Sequence, residues 1–170
     1  MEYLVKDIYH ELGFVGRENE TILTKYTRSL IIDWACRVEV KDCMQETYAT
    51  LVNMVDNEIA VPIDLQSAIY CGALQDSNAS GMVEVMESLL MKIASSKDQN
   101  ERDRLTNGLG CVANETSLEL LLEQVLNPRS VYHDDEITGV FISVLNGQRN
   151  GASHVLKFLN SNYDEFFVKE

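Results

Sequence analysis

The chain has 170 residues, 45% of them hydrophobic, and its 27 acidic against 14 basic residues give a formal net charge of -13. This length holds one core rather than two, and two prolines and nine glycines are too few breakers for an all-β sandwich. No apolar run approaches the roughly 20 residues of a membrane span, and a surface this acidic repels phosphate backbones, which argues against a nucleic-acid partner.

Tyr3, Leu4, Ile8 and Leu12 predict a short first helix that Gly13 ends. Residues 15–19 read as a polar connection. Leu23, Tyr26, Leu30, Trp34 and Val38 then recur at spacings of three and four, the apolar face of an amphipathic helix. Glu39-Val40-Lys41-Asp42 is short and mostly charged. Met44, Tyr48, Leu51, Val52 and Val55 begin a second series, so the two stretches predict antiparallel helices joined by a tight turn. Cys36 falls in the last turn of the first helix and Cys43 in the first turn of the second, close enough for a disulfide at the hairpin neck. Asp56-Asn57-Glu58 closes the second helix, and residues 59–63 form a linker. Pro62 is expected at the start of the next helix, which carries Leu65, Ile69, Cys71 and Leu74.

Residues 76–80 form a turn and cap cluster. Met82, Val85, Met86, Leu89, Leu90 and Ile93 mark another helix, with methionine as core filler. Residues 102–112 predict a weaker helix containing Gly108, Gly110 and Cys111. Asn114-Glu115-Thr116 leads into a very apolar helix over 118–126, stopped by Asn127-Pro128. Asp134-Asp135-Glu136 precedes Ile137, Val140, Phe141, Val144 and Leu145, acids at the positive end of an amphipathic helix. Ala152, Val155, Leu156, Leu159, Tyr163, Phe166 and Phe167 continue the period after a turn over 147–151. About nine helices of ordinary length and no strand make an all-α chain. Successive hairpins predict stacked antiparallel pairs in a HEAT- or armadillo-like superhelical array, although no consensus repeats at a fixed period.

Few residues suggest chemistry. His10-Glu11-Leu12-Gly13-Phe14 begins like a His-Glu-x-x-His zinc motif, but Phe14 stands where the second histidine must be. His133 and His154 have no cysteine or carboxylate at metal-ligand spacing, and Asp134-Asp135-Glu136 reads as helix capping. No nucleophile elbow, phosphate loop or nucleotide fingerprint occurs. The chain alone is therefore expected to have no catalytic residue, no metal and no cofactor. Four cysteines allow three connectivities and fit no zinc ribbon. Asn19, Asn78 and Asn114 each begin an Asn-x-Ser/Thr sequon in a predicted loop or helix start. Three sequons beside four cysteines favour a secretory origin.

Leu12-Gly13-Phe14, residues 28–36 with Asp42-Cys43, Ala68-Ile69-Tyr70-Cys71-Gly72-Ala73-Leu74, Leu126-Asn127-Pro128 and Phe158-Leu159-Asn160-Ser161-Asn162-Tyr163, taken in order, resemble the C-terminal helical domain of the zinc aminopeptidases of the aminopeptidase N family. The resemblance implies that residues 1–170 are one helical domain, the C-terminal part of that domain in a larger ectoenzyme. It implies the pairings Cys36–Cys43 and Cys71–Cys111. It implies a parent that removes N-terminal residues from peptides, with zinc held in a catalytic domain of the same polypeptide. The helical domain would wall and cap the substrate chamber, at the extracellular face of the plasma membrane or in a secreted enzyme. Some invertebrate gut members dock bacterial toxins, so a toxin is a further expected partner. The family often places an isoleucine-arginine pair after the Asn-Pro helix, where this chain has Val131-Tyr132-His133. Tyr132, His133 and Arg149 are the chamber-facing candidates. The rival is an intracellular helical-repeat interaction module with no peptidase parent, whose four thiols would stay free.

Overall fold

The computed structural model describes residues 2–57, 59–76 and 81–167. Among them the regular structure is helical, with no strand. In chain order it comprises α1 (Glu2–Leu12), α2 (Ile22–Arg37), α3 (Lys41–Asn57), α4 (Gln66–Leu74), α5 (Met82–Ser95), α6 (Gln99–Leu109) and α7 (Glu115–Glu123). A 3-10 turn (Asp134–Glu136) then leads into α8 (Ile137–Gly147), α9 (Gly151–Ser161) and α10 (Tyr163–Phe167).

The ends of these helices follow from local chemistry. Gly13 adopts φ +71°, and its amide bonds back to the Tyr9 carbonyl at 2.9 Å, which stops α1. Thr21, Asp98 and Asn114 cap α2, α6 and α7, each side-chain oxygen accepting an amide of the first turn at 3.0–3.1 Å. Pro62 does not open α4. The Leu65 amide bonds to the Pro62 carbonyl at 2.9 Å, so proline begins a turn and the helix starts at Gln66. The apolar run expected through Leu126 also stops early, at Glu123, because Gln124, Val125 and Leu126 tighten into bonds to the third carbonyl back. The last series is broken at Asn162, whose side-chain amide donates to the Phe158 carbonyl at 2.8 Å and separates α9 from α10.

The helices stack as hairpins in two layers. One layer runs α2, α4, α6, α8; the other runs α3, α5, α7, with α1 against α2 and α9 against α8. Helix α4 is the hub, touching α2, α3 and α6, and Ala68 to Leu74 are all buried. Close approach needs small residues at the crossings. A Cβ on Gly108 of α6 would collide with Tyr70, and one on Gly72 would lie 2.6 Å from the Cys36 sulfur. One apolar cluster runs through the stack, from Tyr9 to Val155.

Helix α2 departs from its sequence pattern. Arg28, Ile32, Ala35 and Cys36 face the core, while Leu23 (75% exposed), Tyr26, Leu30 and Trp34 (45%) face outward. The face against α4 is the one with the smaller side chains, because Gly72 and Cys36 bring the two backbones close.

Candidate functional site

All four cysteines are bridged. Cys36–Cys43 joins the last turn of α2 to the first turn of α3, with Cα atoms 5.4 Å apart. Cys71–Cys111 ties α4 to the exit of α6 across 40 residues, with Cα atoms 5.1 Å apart. Beside it the Ala113 amide bonds to the Leu74 carbonyl at 2.9 Å, so the segment leaving α6 is pinned to the end of α4.

Two buried arginines play matching parts. Arg28 of α2 donates to the Leu12 carbonyl and, at 2.7 Å, to that of Gly13, and it pairs with Glu20. Arg102 of α6 donates to the Ile93 carbonyl in the last turn of α5, to the Val131 carbonyl at 2.9 Å, and to both oxygens of Glu136. Each thus bonds carbonyls at the end of the preceding helix and pairs with a half-buried glutamate. The hydrogen bonds from Arg102 hold the Glu136 carboxyl down to about 2 against the opposing effect of burial, and the His133 amide and Gln99 side chain add to them. Glu136 in turn raises Arg102, mainly through the same hydrogen bonds. The sequence pattern did not reveal these arginines as core residues. The available signal was register: Arg28 lies in line with Ile32 and Ala35, and Arg102 with Leu105 and Leu109.

The chamber candidates do not converge. Tyr132 is 5% exposed and belongs to the apolar core. Its hydroxyl lies beside Thr106 without a hydrogen bond of normal geometry, and burial pushes the phenol up to about 12. His133 is exposed at the mouth of the 3-10 turn, its amide donating to Glu136 at 2.8 Å. Arg149 is exposed and lies 3.0 Å from Glu39. His133 and Arg149 flank opposite ends of α8, whose 11 residues span roughly 16 Å. Of the sequons, Asn19 is exposed at φ +64°, and Asn114 is half-buried as the cap of α7. Asn78 lies outside the described residues. His10 is 3.8 Å from Asp42, and Phe14 lies beyond the end of α1. Among the described residues no three His, Cys, Asp or Glu side chains group so as to hold a metal ion, so they do not fit a zinc site.

A groove of about 310 Å³ runs between α7 and α9, floored by Leu118, Leu122, Leu126 and Phe158 and edged by Glu119, Glu123 and Lys157. It adjoins a second, of about 390 Å³, at the α8–α9 turn, where Arg37, Arg149 and His154 face Glu39 and Gln75. Gln148 braces that turn by donating to the carbonyls of Gly110, at 3.2 Å, and Val112. Apolar floors with charged edges suit contact with a polypeptide.

Comparison with known proteins gives these surfaces a context. The ERAP1-like C-terminal domain family matches residues 1–169. The chain is 25% identical over 162 residues to aminopeptidase N of Plutella xylostella, covering 95% of this chain and 17% of that protein. It is 24% identical over 157 residues to membrane alanyl aminopeptidase of Heliothis virescens, covering 92% of this chain and 15% of that protein. The chain therefore spans about a sixth of the length of these relatives. With an all-helical stack and a match running almost end to end, the chain belongs to the ERAP1-like C-terminal domain family and is a C-terminal domain of an aminopeptidase N family protein.

Proposed function

We propose that this chain is the non-catalytic C-terminal part of the helical domain of a zinc aminopeptidase that removes N-terminal residues from peptides, and that it walls and caps the chamber holding them. The observation that carries this is the family match over residues 1–169, with aminopeptidases as the relatives. Among the described residues no group makes a zinc site, and the reading assigns the metal and the reacting groups to a catalytic domain elsewhere in the same polypeptide. The work of this chain is then steric and electrostatic: it limits what reaches the chamber and supplies charged contacts to peptide substrates. His133 and Arg149 are the surface-facing members of the candidate set, whereas Tyr132 supports the wall from within. Two disulfides and the loop sequon at Asn19 support an oxidising compartment, on a secreted enzyme or the extracellular face of the plasma membrane.

The test compares the 170-residue chain with a longer polypeptide containing it, using chromogenic aminoacyl substrates and short peptides. Only the longer form is expected to hydrolyse them, with loss of activity on chelation. Arg149→Ala in the longer form is expected to raise KM for peptides while kcat holds. Stoichiometric zinc in the 170-residue chain, with hydrolysis blocked by a chelator, would overturn the proposal.

A further inference from the structure

Helix α7 and its exit carry a pattern that the fold does not consume. Glu115-Thr116-Ser117-Leu118, Glu119-Leu120-Leu121-Leu122 and Glu123-Gln124-Val125-Leu126 repeat Glu-x-x-Leu three times in succession. Two parallel rows at four-residue spacing result. The leucines floor the groove against α9, and the glutamates form its edge. Leu118 and Leu122 lie at the bottom, while Leu126 and Phe158 are half-buried and open to the groove. The glutamate row is not explained by the stability of the chain itself. Like charges four residues apart on a helix repel. Glu115 meets the positive end of α7, but Glu123 stands at the negative end. All three are exposed, and among the described residues none of their carboxylates takes a hydrogen bond or an ion pair. Lys157 on the facing wall lies beyond ion-pair distance of them.

These features select an occupant. The floor calls for apolar side chains and the edge for cations. Rows four residues apart are the ridges into which a second helix packs, as an amphipathic helix does when it lies in a groove. The edge from Glu115 to Glu123 runs roughly 12 Å, about two turns of such a helix. Nucleic acid and anionic lipid are repelled by it. A second copy of this chain is disfavoured too. It carries a net charge of -13, and among the described residues no helix has more than one exposed lysine or arginine to offer.

We propose that the α7–α9 groove docks a basic amphipathic helix of another protein. The apolar face of that helix rests on Leu122, Leu126 and Phe158, and its lysines or arginines pair with Glu119 and Glu123. Docking here involves no peptide cleavage, so the proposal goes beyond the chamber-wall reading and stands without it.

The probe is a synthetic helix of leucine and lysine, with the leucines at three- and four-residue spacing. Its binding to the 170-residue chain is read by fluorescence anisotropy and its footprint by hydrogen exchange. Binding should saturate, weaken several-fold on Glu119→Gln/Glu123→Gln and on adding salt, and slow exchange only in residues 115–126 and 154–161. Glu84→Gln/Glu87→Gln removes the same charge from exposed positions on α5 and should leave binding unchanged. All four substitutions are at exposed sites, so the melting temperature should hold in both variants. No binding, equal weakening by the two pairs, or equal binding of a scrambled peptide of the same composition overturns the docking site. So does binding that leaves exchange in the groove unslowed. Slowed exchange there without peptide, rising with concentration and accompanied by sedimentation as a dimer, also overturns it, since the occupant would be a second copy. Hydrolysis of aminoacyl substrates by a longer polypeptide is scored separately. A groove that binds nothing leaves the aminopeptidase reading intact, and an inactive longer form leaves the groove intact.

Discussion

Helices α4 and α2 lie side by side yet behave as opposites. Every residue from Ala68 to Leu74 of α4 is buried, and its crossings are so close that glycines 72 and 108 are needed. Helix α2 buries one face and shows water a row of leucine, tyrosine and tryptophan on the other. The difference lies in position as well as composition, since α4 carries no charged side chain whereas α2 carries Lys25, Arg28, Asp33 and Arg37. A helix in mid-stack is satisfied from all sides by its own chain, whereas a helix at an edge is satisfied from one side only. Disruption at the centre should therefore unfold the whole domain, and disruption at the edge should stay local.

The two buried arginines sharpen this comparison most. Arg102→Met leaves Glu136 uncompensated where α5, α6 and the 3-10 turn meet, and should cost the whole domain about 3–5 kcal/mol in denaturant unfolding. Arg28→Met removes an equally buried pair, but α1 packs mainly against α2. It should fray α1, read as faster proteolysis near Gly13, with little change in the main transition. Equal global losses would break the comparison.

The disulfides should show a milder version. In the chain-entropy picture the bridge across 40 residues contributes about 4 kcal/mol and the one across 7 about 2.5 kcal/mol. Cys71→Ala/Cys111→Ala should accordingly lower the melting temperature more than Cys36→Ala/Cys43→Ala. A larger loss for the short bridge would mean that the α2–α3 neck matters more than the centre.

Acid should act through the centre as well. Glu136 titrates near 2 when folded, below the ordinary carboxylate value of 4.5. Its contribution is therefore complete above about pH 4.5 and is lost as the pH falls toward 2, a change of roughly 3 kcal/mol at most. Glu136→Gln should flatten that part of the stability curve between pH 5 and 2. At the small end, Leu23→Lys on the outer face of α2 should change the stability of the 170-residue chain by no more than about 0.5 kcal/mol, as for an ordinary surface site.

Much of the fold was legible in the sequence. Gly13, Asn114 and the acids before α8 announced their helix boundaries, and period-3.6 spacing located the helices around them. The orientation of α2 was not legible. Its bulky residues look like the packing face, but a tight helix crossing selects small ones, and the Gly72 opposite Cys36 lies 36 residues away in sequence. Tyr132 was read as a chamber candidate because it stands where the resembling family often has an isoleucine-arginine pair. Its loop is drawn inward by Arg102, about 30 residues earlier, through the Val131 carbonyl and Glu136. Pairings across such distances leave no periodic trace along the chain.

Native-state hydrogen exchange of the 170-residue chain tests the contrast between closed centre and open edge most directly. Amides of residues 70–74 in α4 should exchange only through global unfolding, and those of α1, which packs mainly against α2, through a local opening of clearly lower free energy. If α1 and α4 exchange with the same opening free energy in the 170-residue chain, the contrast between a closed centre and an open edge is wrong.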